Sequence, residues 1–199
     1  TSNYLGDSVA TGDVNGDGFA DVVAGADGYS SNAGRVYVFH STGPAGVVAM
    51  NAASASTRVT GEATSLFGDS VATGDVNGDG FADLVAGARS YSGSTGRVYV
   101  FHSTGPAGVV ATNAASASTR ITGEATSNYL GDSVATGDVN GDGYADLVAG
   151  AYGHSSNTGR VYVFHSTGSP GVSTMSATAA STTTTGQATG NQFGASLAQ

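Results

Sequence analysis

The chain has 199 residues, 15 acidic against 6 basic, a formal charge of −9 and a pI near 4.4. That balance argues against a basic nucleic-acid groove, and the absence of cysteine removes disulfide scaffolds, thiolate zinc sites and cysteine nucleophiles. No run of about 18 apolar residues is present to span a membrane, while 39% hydrophobic content against 11% charged residues suffices for a packed core.

From the N-terminus, residues 5–11 (LGDSVAT) read as a short strand, A, of small and β-branched residues. No basic and apolar leader precedes it, as expected where a signal segment has been removed or is not needed. An acidic loop leads to strand B at 20–26 (ADVVAGA), a brief apolar run bounded by Asp and Gly. Strand C at 35–40 (RVYVFH) is rich in Val, Tyr and Phe, and strand D at 57–60 (TRVT) is weaker. Strands B and C are apolar on both alternating faces, as expected of a sheet covered on both sides. No segment sustains a 3.6-residue apolar period, so helix is not expected.

The same unit then recurs. Gly6, Gly68, Gly131 and Gly194 each follow Leu or Phe at spacings of 62, 63 and 63 residues, and GRVYVFHSTG occurs unchanged at 34–43, 96–105 and 159–168. Residues 5–63 and 67–125 agree at 50 of 59 positions, which points to recent duplication or deliberate design. Four strands per unit make a small sheet that cannot bury both faces alone, so stacking of neighbours is required. The expected fold is all-β: a β-propeller of four-stranded antiparallel blades, with blades at 1–63, 64–126 and 127–189 and an extra C-terminal strand at 190–199 that begins a fourth repeat. Propellers have 4 to 8 blades, so these three belong to a longer propeller or close a ring by self-association, a homodimer giving six blades. A linear stack of β units is the competing architecture.

Between strands A and B each unit carries D-V-N-G-D-G-[FY]-A-D, and nine of the 15 acidic residues lie in these loops. The oxygen-bearing positions are Asp13, Asn15, Asp17 and Asp21, then Asp75, Asn77, Asp79 and Asp83, then Asp138, Asn140, Asp142 and Asp146. The backbone carbonyls of Phe19, Phe81 and Tyr144 stand at position 7. A tight loop with this spacing turns alternate oxygens toward one centre, and an all-oxygen set suits Ca²⁺. Asn-Gly and Asp-Gly also favour plain hairpin turns, but a turn does not need three mutually repelling carboxylates in nine residues. Three Ca²⁺ per chain would bring the formal charge from −9 to −3. The loop matches the first nine positions of an EF-hand loop, with no Glu at position 12, so Asp21, Asp83 and Asp146 are expected to supply the last carboxylate.

The order of these elements resembles the FG-GAP repeat. The FG element is Leu5-Gly6, Phe67-Gly68, Leu130-Gly131 and Phe193-Gly194, and the GA element is Gly25-Ala26, Gly87-Ala88 and Gly150-Ala151, with the Pro absent from all three. Such repeats build the seven-bladed propeller of integrin α subunits and occur in secreted bacterial proteins. The resemblance implies calcium in the A–B hairpins and ligand contacts on the opposite face, through the B–C and D–A loops.

Other repeated residues read as framework. Gly-Asp-Ser at 6–8, 68–70 and 131–133 resembles the start of a serine-esterase motif but occurs in every unit, whereas an active site is normally single. Asp7, Asp69 and Asp132 are therefore expected to bond turns or strand edges, and His40, His102 and His165 to be structural. Arg35, Arg97 and Arg160 begin strand C and could pair with carboxylates. The Ser/Thr/Ala-rich stretches 49–57, 111–119 and 173–185 are expected to pack loosely on the outer edge. Units one and two differ at nine positions, five of them at 27, 28 and 31–33 in the B–C loop. Loops on a rigid scaffold are common binding sites, and Tyr29, Arg89, Tyr91, Tyr152 and His154 are the candidate ligand contacts. The sequence thus predicts a secreted or cell-surface calcium-binding module that adheres to a protein or glycan and is not an enzyme. A lectin is the first alternative and a hydrolase domain the second.

Overall fold

The computed structural model describes residues 3–48 and 51–198. Thr1, Ser2, Ala49, Met50 and Gln199, which fall within the expected repeat boundaries and the stretch 49–57, lie outside the described residues.

The first unit forms β1 (Val9–Gly12), β2 (Asp21–Ala26), β3 (Arg35–Phe39) and β4 (Thr57–Thr60). The second forms β5 (Phe67–Gly74), β6 (Asp83–Ala88), β7 (Arg97–Phe101) and β8 (Thr119–Thr122). The third forms β9 (Ser133–Gly137), β10 (Asp146–Ala151), β11 (Arg160–Phe164), the two-residue β12 (Met175–Ser176) and β13 (Thr182–Thr185). Each unit is an antiparallel sheet in simple strand order, and equivalent residues pair in each: Val23 with Val38, Val85 with Val100, Val148 with Val163. The expected strands A to D are therefore present in every unit, as blade-like sheets.

The core lies between consecutive sheets. Val23, Val36 and Val59 of the first unit pack with Phe67, Leu84 and Tyr99 of the second, and Val85, Val98 and Ile121 of the second pack with Leu130, Leu147 and Tyr162 of the third. Buried branched and aromatic side chains of this size each contribute about 1.5–3 kcal/mol. The Phe67 ring meets Tyr99 and Phe101 edge-on at 5.4 and 6.0 Å between centroids. The glycines of the two motif elements also meet across units: a Cβ on Gly25 would lie 1.9 Å from the Gly68 carbonyl oxygen, and one on Gly87 equally close to that of Gly131. Only glycine admits this approach of two backbones.

Three expectations need correction. The segment 190–198 forms no strand: it makes one parallel bridge, Phe193 with Gly159. In the first three units strand A is held by hairpin pairing with strand B. The second and third Ser/Thr/Ala-rich connections are not loose. β12 pairs in parallel with β8, making a fifth strand of the second sheet, and Asn113 bridges Thr60 in the same way. Within the last of these stretches Thr182–Thr185 forms the fourth strand of its sheet, as β-branched side chains favour. Helical turns do occur, at Tyr29–Asn32, Tyr91–Ser94 and His154–Asn157 in the B–C loops, but they contain left-handed residues such as Ser30 and Ser31 at φ of 50° and 57°. Hydrophobic periodicity cannot register a single polar turn of this kind. Among the described residues no helix is long and apolar enough to cross a membrane.

Candidate functional site

Each acidic loop folds around its own carboxylates. Asp13 accepts hydrogen bonds from the amides of Gly16 (2.7 Å), Asp17 (3.0 Å) and Gly18 (2.8 Å). Asp17 accepts from the Phe19 amide at 2.9 Å and from the Asn15 side-chain amide at 3.2 Å. Asp21 is fully buried: Oδ2 accepts from the amides of Val14 (2.9 Å) and Asn15 (3.2 Å), and Oδ1 from the amide of Ser41, beyond strand C, at 2.7 Å. The last acidic residue thus ties the loop to the third strand.

The other loops repeat this arrangement. Asp75 accepts from Asp79 and Gly80, and Asp138 from Gly141, Asp142 and Gly143. Asp83 accepts from Val76 and Ser103, and Asp146 from Val139 and Ser166. Backbone donors, that of Gly143 foremost, hold the Asp138 carboxyl below the usual carboxylate range. Burial pushes Asp83 up to about 7. The amides of Ser103 and Val76 oppose that rise, and the charges of Asp79 and Asp75 add to it.

The donor chemistry of these loops fits a hard cation. The Asn15 side-chain amide donates to Asp17 at 3.2 Å, and those of Asn77 and Asn140 to Asp79 and Asp142 at 2.9 Å, while the amide of that second Asp donates to the first Asp of each loop. Among the described residues no three His, Asp or Glu side chains are drawn together into a ready-made cage. The carboxylates are instead distributed over backbone donors, and the last Asp of each loop has both oxygens bonded before any cation arrives.

Sequence reasoning missed that successive loops touch. The Ala82 amide donates to the Asp13 carbonyl at 2.9 Å, and that of Ala145 to Asp75 at 3.1 Å. The Phe81 ring lies over Gly16 of the preceding loop, so that a Cβ there would sit 2.1 Å from its Cε1, and Tyr144 covers Gly78 in the same way. Position 7 was read for its carbonyl alone, yet its side chain is an inter-unit contact. Ser103 Oγ donates to the Val14 carbonyl and Ser166 Oγ to that of Val76, at 2.6 and 2.5 Å. The unchanged string containing these serines was the available signal.

The opposite ends of the sheets carry the candidate ligand contacts. All five are half-buried and engaged within the chain. Tyr29 lies under the Arg35 guanidinium at 3.7 Å and Tyr91 under Arg97 at 3.6 Å, both cation–π stacks. Tyr152 stacks on Tyr129 at 4.8 Å, and His154 faces Glu124 at 3.5 Å. Arg89 bridges two units, 3.1 Å from Asp69 and 3.3 Å from Asp132. Burial pushes Asp69 up to about 7; Arg89 opposes this, and the charges of Asp132, Asp27 and Asp7 reinforce it. Asp27, at the position of Arg89 in unit one, is buried with Oδ1 unpartnered. The exposed tips are small: Ser30, Ser31 and Asn32, and Ser155, Ser156 and Asn157.

The remaining framework residues make contacts between units. Ser8 and Ser70 of the Gly-Asp-Ser elements accept from the amides of Val71 and Val134 in the next unit, both at 2.9 Å. His40 and His102 pack against Gly108 and Gly171 of the following unit, each with a buried, unpartnered Nε2. Burial lowers the His102 pKa.

The family model described as FG-GAP repeat matches three segments, 5–39, 67–101 and 130–164, each spanning strands A to C with its acidic loop. Integrin alpha-PS2 of Drosophila melanogaster is 36% identical over 188 residues, covering 84% of this chain and 12% of that protein. Integrin alpha-V of Gallus gallus is 31% identical over 170 residues (82% and 15%), and integrin alpha-IIb of Homo sapiens 38% over 173 residues (81% and 15%). The chain thus spans between 12% and 15% of the length of these relatives.

Proposed function

The chain belongs to the FG-GAP repeat family, and from that premise we propose that it is a calcium-stabilised β-propeller segment of a secreted or cell-surface adhesion module. The observation that carries this reading is the repetition, inside each matched segment, of an acidic loop whose side chains are all hard oxygen donors. In each loop the first Asp, the Asn and the second Asp would hold the ion, together with the carbonyl at position 7. The last Asp would join through lone pairs left free by its backbone bonds. A cation supplies the positive charge that three carboxylates in nine residues lack, and so fixes the hairpin between strands A and B.

The opposite, B–C end is the recognition face. Its variable positions are held on rigid strands by the arginine–tyrosine stacks and by Arg89, while the Ser- and Asn-rich tips reach solvent. Contact with a protein or glycan there would use the tips together with the half-buried Tyr152 and Arg89.

Calcium removal tests the first part. With ion at a hundredfold excess over its Kd, each site contributes about 2.7 kcal/mol, or roughly 5–10 °C in Tm for a chain of this size. EDTA should lower the melting temperature by that much per ion bound, and an unchanged curve in protein first shown to contain metal would overturn the structural role. Binding to immobilised matrix glycoproteins, measured with calcium and with EDTA, tests the second part. A signal confined to a glycan array would favour a lectin.

A further inference from the structure

The buried carboxylates of the three acidic loops are joined by one continuous hydrogen-bonded path. In the first loop Asp21 Oδ2 accepts from the Val14 amide, and the Val14 carbonyl accepts from Ser103 Oγ, 89 residues further on. The amide of the same Ser103 donates to Oδ1 of Asp83, the last acidic residue of the second loop. Oδ2 of Asp83 accepts from Val76, whose carbonyl takes Ser166 Oγ, and the Ser166 amide reaches Asp146 of the third loop at 2.8 Å. Every residue on this path is buried: Asp21, Val14, Asp83, Val76, Ser166 and Asp146 are 0% exposed and Ser103 is 4%. A second link runs beside it, from the Ala82 amide to the Asp13 carbonyl, with the Phe81 ring closed over Gly16.

We infer that Ser103 and Ser166 are positioning residues that couple the three loops, so that a divalent cation taken up in one loop raises the affinity of its neighbours. This rests on the calcium reading of the loops. The physical basis is ordering shared along a buried path. A cation on the Asp83 carboxylate fixes the Ser103 backbone that donates to it. The Ser103 hydroxyl then fixes Val14, which lies between two donors of the first loop and whose amide holds Asp21. A loop so held has less freedom to lose when its own ion arrives, and binding to a partly ordered site is tighter. Water competes little along a path whose residues are at most 4% exposed.

The experiment is calorimetric titration of the metal-free 199-residue chain with CaCl₂, alongside Ser103→Ala and Ser103→Thr. The expected wild-type isotherm takes three ions with a Hill coefficient above one. Ser103→Ala should keep the stoichiometry while its Hill coefficient falls, and Ser103→Thr, which keeps the hydroxyl, should restore it. A merely structural serine would lower the melting temperature in EDTA without changing that slope. Three ions bound with no cooperativity, or a slope unchanged in Ser103→Ala, overturns the coupling and leaves the calcium reading standing. No calcium uptake at all overturns both. Should Ser103→Ala fail to fold, Asp17→Asn carries the test. With the first loop disabled, the remaining two should bind at least about fivefold more weakly, and unchanged affinity overturns the coupling.

Discussion

The two ends of each sheet are built from the same strands but hold themselves together differently. At the A–B end the loops repeat almost letter for letter, and each is bonded to the next: Ala82 to Asp13, Ser103 to Val14, Phe81 over Gly16. At the B–C end the residues vary from unit to unit, and the bridging position holds Asp27, Arg89 and Tyr152 in turn. There too the backbones bond across units, the Leu66 amide to the Asn32 carbonyl at 2.9 Å and the Tyr129 amide to that of Ser94 at 2.8 Å, but the side-chain contacts differ from unit to unit: a carboxylate with one unpartnered oxygen, a two-carboxylate clamp, a stacked tyrosine pair. Backbone bonds between units occur at both ends whatever residue supplies them; sequence identity between copies is held where the same side chains must fit the next unit, and is relaxed where each unit makes a different side-chain contact.

The largest effect that would sharpen this contrast lies at the A–B end. Gly16 has φ of +73° and Gly141, its counterpart in the third unit, +79°, but the Phe81 ring covers only the first, and nothing lies within 4 Å of a Cβ at the second. Gly16→Ala and Gly141→Ala share the left-handed backbone cost of about 1–2 kcal/mol. Gly16→Ala should lose a further 1–3 kcal/mol or so from the clash with the ring. Equal losses in chemical denaturation would show that the ring contact does not hold the loops together.

Much of this was legible in the sequence. Strands A to D needed only apolar patterning and turn residues, and the loop spacing singled out Asp13, Asn15, Asp17 and Asp21. What was not legible depends on the registration of units about 62 residues apart. Gly25 facing Gly68, Ser103 under Val14 and Phe81 over Gly16 leave no local trace, since each looks like an ordinary small or aromatic residue until two sheets are set side by side. The five candidate contacts of the B–C loops were found as variable positions. Their engagement with Arg35, Arg97, Tyr129 and Glu124 was hidden for the same reason.

At the B–C end a smaller loss is expected from Arg89→Ala. The guanidinium is partly exposed, so its two ion pairs are worth about 1 kcal/mol together. Their removal leaves Asp69 and Asp132 facing each other with no cation between them. Both carboxyls are already raised, chiefly by burial, and Arg89 is the group that opposes the rise. A buried carboxyl raised above its unfolded value favours folding most when protonated, so its contribution is full below about pH 4 and is lost as pH climbs through its folded value, about 7 for Asp69. Stability of Arg89→Ala should therefore fall more steeply than wild type between pH 4 and 7, read as urea midpoints across that range. Parallel curves would mean that Arg89 does not set the charge state of this end.

The smallest change asks whether unit one can be given the solution of unit two. Asp27 occupies the place of Arg89, is buried with Oδ1 unpartnered, and adds its charge to those that push Asp69 upward. Asp27→Arg would replace a repelling carboxylate by a guanidinium that can reach Asp7 and Asp69 as Arg89 reaches Asp69 and Asp132. The gain should be modest, about 0.5–1 kcal/mol, because partly exposed ion pairs contribute little. Its signature should lie in the pH profile: with Asp69 drawn down, the loss of stability between pH 4 and 7 should flatten. If Asp27→Arg destabilises the chain and leaves that slope unchanged, the two positions are not equivalent, and the buried carboxylate of unit one answers to something other than its neighbours' charge.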